Sequence, residues 1–257
     1  MSSRPVVLVT GAAKRLGRSI ALDLGAHGFD VAVHYRSSAA EADEVVVELT
    51  RLGVTAAAFG ADLSSESACR ALVPDTVARF GRLDAIVNNA STFEYDTVET
   101  FSFGAMERHW LANTGPPVVL ARELARHLNT RNATGCVVNL LDQKLWNPNP
   151  DHLSYTLSKA ALQAATVALA QALAPALRVC GVAPGVTLPS GPMTIERFEA
   201  ARRLTPLERS STPADIASAV RFLIGAPAIT GTTLLVDGGQ HLAGQPRDVL
   251  FLSAGTD

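Results

Sequence analysis

The strongest constraint in this chain is an alternation that runs along nearly its whole length. Short apolar runs rich in Val, Ile, Leu and Ala are separated by segments long enough to be helices. The runs 6–9, 31–34, 55–59, 85–88, 136–141, 178–182 and 233–236 read as strands. Several are continuously apolar, as parallel strands covered on both faces must be. Helices are expected over 15–27, 39–52, 65–79, 104–128, 153–174 and 213–224. Parallel neighbours need crossover connections, and these segments supply them. The expected fold class is α/β, a doubly wound parallel sheet of about seven strands with helices on both faces. No repeat, linker or low-complexity stretch divides the 257 residues, so 1–257 is expected to be a single domain. The rhythm breaks over 185–212, around Gly185, Pro189, Gly191, Pro192 and Pro206. That stretch reads as a substrate loop or lid with a short helix near 194–203.

Composition narrows the class of function. Hydrophobic residues make up 47% of the chain, too many for a disordered protein, and the net charge of −2 offers no long-range attraction to nucleic acid or an anionic membrane. Cys69, Cys136 and Cys180 are far apart and form no C-x-x-C pair, so neither a disulfide framework nor a metal site is expected. Buried thiols in a reducing cytoplasm are the simplest reading. The run 6–9 is too short for a signal-peptide core. The uncharged stretch 160–177 is mostly alanine and carries Gln163, Gln171 and Pro175, so a core helix is expected there rather than a membrane span.

The first strand ends in Thr10-Gly11-Ala12-Ala13-Lys14-Arg15-Leu16-Gly17 and a helix follows. A glycine-containing turn that opens a helix lets backbone N–H groups approach a pyrophosphate, which suggests a dinucleotide. The end of the second strand then discriminates between cofactors. An NAD-selective site usually carries an acid there for the ribose hydroxyls, but this chain has His34-Tyr35-Arg36-Ser37-Ser38. Arg36 and Ser37 suit a 2′-phosphate, with Lys14 or Arg15 adding charge, so NADPH is the expected cofactor. Asp62-Leu63 closes the third strand, where the acid either accepts from the adenine amino group or caps the next helix. Asn88-Asn89-Ala90-Ser91 closes the fourth, at the carboxyl ends where such sheets bind ligands.

Tyr155-Thr156-Leu157-Ser158-Lys159 sets a phenol and an ammonium four residues apart, on one face of a helix. A nearby ammonium and an oxidised nicotinamide are expected to lower the Tyr155 pKa from its free value of about 10. Together with the first turn, Asn89-Ala90 and Asp237-Gly238-Gly239, these motifs resemble the short-chain dehydrogenase/reductase family over nearly all of residues 5–240. The resemblance implies a Rossmann fold with Tyr155 as proton donor. Lys159 would bind the nicotinamide ribose and tune Tyr155, Asn113 would hold a water in the proton relay, and Pro184-Gly185 would lie beside the nicotinamide.

Two positions depart from the family pattern. Arg15 stands where a glycine is usual, and Asp142, thirteen residues before Tyr155, stands where the catalytic serine is usual. Both departures, with the segment HYRSSAAEA, are similar to pteridine reductases, and Phe93 matches the phenylalanine that sandwiches the flat pterin in that branch. The chemistry agrees. An ionised carboxylate would repel a ketone-derived oxyanion by about 4 kcal/mol at 4 Å and an effective dielectric of 20. A pterin instead offers N–H donors, and its reduction needs a proton on a ring nitrogen, which Asp142 and Tyr155 could deliver.

Other readings stay open at this level. Asp142 could be a structural acid paired with Lys144, and Phe93 an ordinary core residue. Trp146 could wall the substrate pocket or pack beneath a loop. The segment 143–151 matches nothing that assigns it a role. His109 and His152 are expected to be surface or structural residues, and His241 with the tail 241–257 to serve subunit contacts. A carbonyl reductase acting on a ketone, sugar or 3-oxoacyl substrate is the alternative enzyme. A non-catalytic NADPH sensor is disfavoured because Asn113, Tyr155 and Lys159 are all present. The small residues Ala160, Ala161, Ala164, Ala165 and Ala168, with the family analogy, suggest a homotetramer packed through helices.

Overall fold

The computed structural model describes residues 4–189 and 193–252. Gly191 and Pro192, and the tail beyond 252, lie outside the described residues. Seven strands form one sheet: β1 (Val6–Val9), β2 (Asp30–Tyr35), β3 (Ala56–Gly60), β4 (Ala85–Asn88), β5 (Gly135–Leu140), β6 (Leu177–Pro184) and β7 (Thr233–Val236). Their order is β3-β2-β1-β4-β5-β6-β7, and every neighbouring pair is parallel. The chain winds outward from β1 to β3, then returns to place β4 on the other side of β1. A crevice opens at such a reversal, at the carboxyl ends of the strands, and the candidate site lies there.

Helices α1 (Arg15–Ala26), α2 (Ala39–Arg51) and α8 (Pro213–Gly225) cover one face. Leu24, Val45 and Leu49 are sealed there in one cluster with Val7, Val9, Val31 and Val33, and Ile216 and Val220 of α8 extend it over β5 and β6. On the other face, α3 (Glu66–Phe80) and α5 (Gly115–Thr130) bury Leu72, Leu120, Leu124 and Leu128. Truncating such a leucine to alanine costs about 2–5 kcal/mol, so the sheet holds the crevice rigidly. Helix α6 (Leu153–Ala172) packs along β6 and beside α5 on that second face, α4 (Phe103–Asn113) packs on α6, and α7 (Ile195–Arg203) and the single turn α9 (Val249–Leu252) complete the described helices.

The single helix expected over 104–128 is two helices, α4 and α5, with Thr114 at the break. The cause is local. Pro116 and Pro117 have no N–H to give the carbonyls of Ala112 and Asn113, so the α4 ladder stops. Prolines are tolerated in a first helical turn, where N–H groups have no intrahelical partner, so α5 starts there.

Candidate active site

The first turn is shaped for close approach. Gly11 has φ +63°, and a Cβ at Gly17 would meet the Gly11 carbonyl oxygen at 2.2 Å and Asn89 Nδ2 at 2.5 Å. Arg15 takes φ +51° at the position where the resemblance leads one to expect glycine. Asn89 Nδ2 donates to the carbonyls of Thr10 (2.9 Å) and Gly11 (3.2 Å), and Thr10 Oγ1 accepts the N–H groups of Asn89 and Ala90. Asn89 therefore ties the turn to the end of β4. His34, which the sequence reading left without a role, does the same from β2. Its Nδ1 accepts the Gly11 N–H at 3.1 Å, which leaves Nε2 to donate to the Ala61 carbonyl at 3.0 Å. Burial lowers its pKa, in keeping with the neutral ring.

Beside this turn lies a cavity of about 440 Å³. Gly11, Lys14, Arg15, Leu16 and Gly17 line one side; Tyr35, Arg36, Ser37, Asp62 and Leu63 line the far end; Asn89, Ala90 and Ser91 line the floor. The first turn of α1 has no side-chain cap and no acidic residue, so its N–H groups point at the cavity without a carboxylate competing for them. Lys14 is paired with Glu41 at 2.7 Å. Asp62 Oδ1 accepts from the Ser64 N–H (3.0 Å) and hydroxyl (2.8 Å), which holds the acid below the usual carboxylate range; Ser65, not Asp62, caps α3. With Lys14, Arg15 and Arg36 against Asp62 alone, the charged lining is mainly cationic. A glycine cradle, an uncapped helix start and an arginine beyond β2 fit a dinucleotide carrying a 2′-phosphate.

A second cavity, of about 310 Å³, adjoins the first at Arg15, Leu16, Asn89 and Ser91. Asp142, Tyr155 and Lys159 lie along it, with Phe93, Pro184 and Gly185. Asp142 caps the 3-10 turn Gln143–Trp146, its Oδ1 accepting the Lys144 N–H at 2.8 Å. Its Oδ2 accepts the Tyr155 hydroxyl at 2.9 Å. Lys159 Nζ donates to the Leu140 carbonyl at 2.7 Å and stands 5.7 Å from the centre of the Tyr155 ring. Burial raises the Asp142 carboxyl and lowers the Lys159 ammonium to about 8. Tyr155 is pushed well above its ordinary value, first by burial and then by Asp142. The Lys159 ammonium by itself therefore does not lower the phenol: burial and the acid dominate, and Tyr155 stands protonated with Asp142 as its acceptor.

Other expectations are sharpened or corrected. The Asn113 amide is fully engaged: Oδ1 accepts from Ser91 Oγ (3.0 Å) and the Thr92 N–H (2.7 Å), and Nδ2 donates to the Thr92 carbonyl (3.0 Å) and Ser158 Oγ (2.9 Å). The side chain is thus a rivet between the 91–92 segment and α6. Pro117 deprives the Asn113 carbonyl of its helical donor, so any water in a relay would be held by the main chain. Phe93 is not a core residue. It is 43% exposed, faces the cavity, stacks on His152 at 4.1 Å and meets the Tyr155 ring edge-on at 4.7 Å. His109 and His152 are both buried and hydrogen-bonded, so the structural half of that expectation stands and the surface half does not. His241 pairs with Asp237 at 2.8 Å. Lys144 does not pair with Asp142 through its ammonium, which turns to the Asp151 carbonyl and the Asp248 carboxylate. Trp146 lies on the 3-10 turn but does not line the cavity; Gln143, Lys144 and Asn147 do.

Comparison with known proteins places this geometry. The family model described as enoyl-(acyl carrier protein) reductase matches residues 11–241. The chain is 36% identical to an uncharacterized oxidoreductase of Methylorubrum extorquens, over 91% of this chain and 96% of that protein. It is 35% identical to pteridine reductase 1 of Leishmania tarentolae, over 93% of this chain and 96% of that protein. The crystal structure of FolM alternative dihydrofolate reductase 1 from Brucella canis, complexed with NADP, superposes with a TM-score of 0.90 at 40% identity, covering 96% of this chain and 98% of that one. With the Tyr155–Lys159 helix, the glycine turn and the β3-β2-β1-β4-β5-β6-β7 sheet, these matches show that the chain belongs to the short-chain dehydrogenase/reductase family.

Proposed function

We propose that the protein is an NADPH-dependent pterin reductase acting on a ring C=N bond of a dihydropterin or folate-like substrate. The observation that carries this reading is the Tyr155–Asp142 hydrogen bond of 2.9 Å beside the cavity-facing ring of Phe93. Where a ketone reductase would place a hydroxyl donor, this chain has a carboxyl whose two oxygens accept, from the Lys144 N–H and the Tyr155 hydroxyl. A carboxyl that accepts from a ring N–H or amino group, and that holds its own proton more tightly than usual, suits a nitrogen heterocycle. The Leishmania and Brucella relatives, a pteridine reductase and a dihydrofolate reductase by name, support the same substrate class.

NADPH supplies the hydride. Lys14, Arg15, Arg36 and Ser37, with the N–H groups of the first turn, hold its phosphates. Asp62 and Leu63 flank the adenine, and Asn89, Ala90, Ser91, Pro184 and Gly185 border the nicotinamide end. Phe93, on the cavity wall beside Tyr155, is the aromatic contact for the flat substrate. Asp142 orients that substrate through its N–H donors, and Tyr155 passes a proton to the ring nitrogen. Lys159, anchored on Leu140, supplies positive charge beneath Tyr155. Val186, Thr187, Leu188 and Met193 line the cavity from the 185–212 stretch, which Arg15 pins through the Pro189 carbonyl at 2.7 Å, and this stretch serves as the lid.

The assembly is a homotetramer packed through α4, α5 and α6. Ala160, Ala164 and Ala168, with Leu157 and Val167, form an exposed small and apolar stripe along α6 that supports close helix packing. The three buried free thiols suit the cytoplasm. The described helices include none long and apolar enough to cross a membrane. The decisive assay is NADPH oxidation with dihydrobiopterin, dihydrofolate and a panel of ketones. Turnover on pterins that exceeds every ketone is expected; ketone turnover without pterin turnover would make the protein a carbonyl reductase.

A further inference from the structure

The segment 143–151, without a role in the sequence, and the C-terminal residues 243–252 meet over the substrate cavity. Asp151, 1% exposed, is the meeting point. Its carboxylate accepts from Arg247 Nε (2.8 Å) and Nη2 (2.8 Å), from the Asp248 N–H (2.7 Å) and, at 3.4 Å, from the Tyr95 hydroxyl. Lys144, also buried, donates to the Asp151 carbonyl and lies 3.4 Å from the Asp248 carboxylate. Asn147 Nδ2 donates to the Ala243 carbonyl at 2.8 Å and fixes the near end of the tail. At the far end Phe251 lies between Arg247 and Tyr95, 5.2 Å from the tyrosine ring, and α9 packs against α7.

The tail so held borders the substrate. Gln245, Arg247, Asp248, Val249 and Leu250 line the cavity that Asp142 and Tyr155 line from the other side. A volume of about 310 Å³ is at the low end of ligand cavities, which run from roughly 300 to 1,000 Å³. It must also admit the nicotinamide end of the cofactor. Space for a long substituent on the bound ring is therefore limited by the tail itself.

We propose that residues 243–252 form a strap of the same chain, latched on Asp151, that closes the outer end of the substrate cavity and sets how long a substituent the reduced heterocycle can carry. This rests on the pterin-reductase reading. Arg247 is the positioning residue of the latch. With the strap docked, the compact substrate is favoured; with it released, the long p-aminobenzoylglutamate substituent of a folate is accommodated.

The test compares full-length wild type, Arg247→Ala, Arg247→Lys and a chain ending at Ala243, each with NADPH. One readout is the kcat/KM ratio of dihydrobiopterin to dihydrofolate. The other is hydrogen exchange of the backbone amides of 245–252, followed in every variant that retains them. Removing the half-exposed Arg247 side chain leaves the buried Asp151 carboxylate without its guanidinium donors and is expected to release the strap. In Arg247→Ala the Asp248 amide should then exchange faster, and the ratio should fall by about tenfold or more through a higher KM for dihydrobiopterin, with kcat little changed. Arg247→Lys should restore part of both effects, and the shortened chain should shift the ratio at least as far as Arg247→Ala. A ratio within about twofold of wild type in both Arg247→Ala and the shortened chain would overturn the strap, as would unprotected 245–252 amides in the wild type. Wild type that binds NADPH but reduces no pterin would overturn the pterin reading, and the strap's substrate role with it.

Discussion

The two ends of the crevice are built on different principles. The dinucleotide end is a backbone structure: a glycine turn, an uncapped helix start, and side chains such as Asn89 and His34 whose hydrogen bonds go to main-chain groups of Thr10, Gly11 and Ala61. The substrate end is assembled from pieces far apart in sequence and held by charged side chains, with Asp151 gripping Arg247 across 96 residues. The first end also joins distant segments, Asn89 reaching Thr10 across 79 residues, but it does so through main-chain groups that the parallel sheet already brings side by side. The second end can change its selectivity without disturbing the sheet, because few of its residues belong to the strands. Function-bearing variety is expected in that kind of construction, where loops vary on a rigid scaffold.

Substitutions should separate the two ends. The largest effect is expected at Asp142. Asp142→Ala should lower pterin turnover by about 10²- to 10⁴-fold with NADPH affinity nearly unchanged, measured by steady-state kinetics and cofactor titration. Asp142→Ser should not restore it, since a hydroxyl cannot hold the charge or supply the acid. Near-full turnover in Asp142→Ala would show that the carboxyl is structural. Next is Arg36→Asp, which should cut the NADPH preference over NADH by about 10- to 150-fold, the worth of charge-assisted bonds to one phosphate. An unchanged preference would place the 2′-phosphate on Lys14 or Arg15. Gly17→Ala, which drives a methyl against the Gly11 carbonyl at 2.2 Å, should cost about 1–3 kcal/mol in thermal or urea unfolding and weaken NADPH binding. A fully stable, fully binding variant would mean that the turn can yield.

The smallest effect is one of pH. Asp142 keeps its proton to higher pH than an ordinary carboxyl, and Lys159 loses its ammonium near pH 8. Turnover that needs both protonated forms should decline in two steps as pH rises, one belonging to Asp142 and lying above the ordinary carboxyl range, and a second near 8. What activity Asp142→Ala retains should show only the second step. A single unchanged profile in that variant would assign the first step to another group.

How much of this was legible in the sequence follows from the range of the interactions involved. Strands β1, β4 and β7 fall at the residues expected, because a short β-branched run bounded by turn residues carries its own signal. The cofactor turn and the Tyr155–Lys159 pair are likewise local patterns. The break at Thr114 was also written locally, in Pro116-Pro117, but the apolar periodicity over 104–128 masked it. The raised Tyr155 and the buried His152 depend on what packs around them in three dimensions. The latch on Asp151 had no sequence signal, since neither the acid nor Arg247 sits in a motif and their pairing exists only once the tail folds back.

The imidazole of His34 gives the molecule an acid edge. Its Nδ1 can receive the Gly11 N–H only while the ring is neutral, and burial depresses its pKa below the free value. The unfolded chain therefore takes up this proton more readily than the folded one. The stability contributed by the neutral ring is complete above about pH 6.5 and is lost as pH falls toward the depressed value. Protonation would set two N–H donors against each other at the base of the dinucleotide turn. Acid thus loosens the cofactor end, while alkali disarms the proton-donating end through Asp142 and Lys159. The working range of the protein is bracketed from opposite sides by its two halves, and titrating cofactor affinity and catalytic turnover separately should locate each boundary.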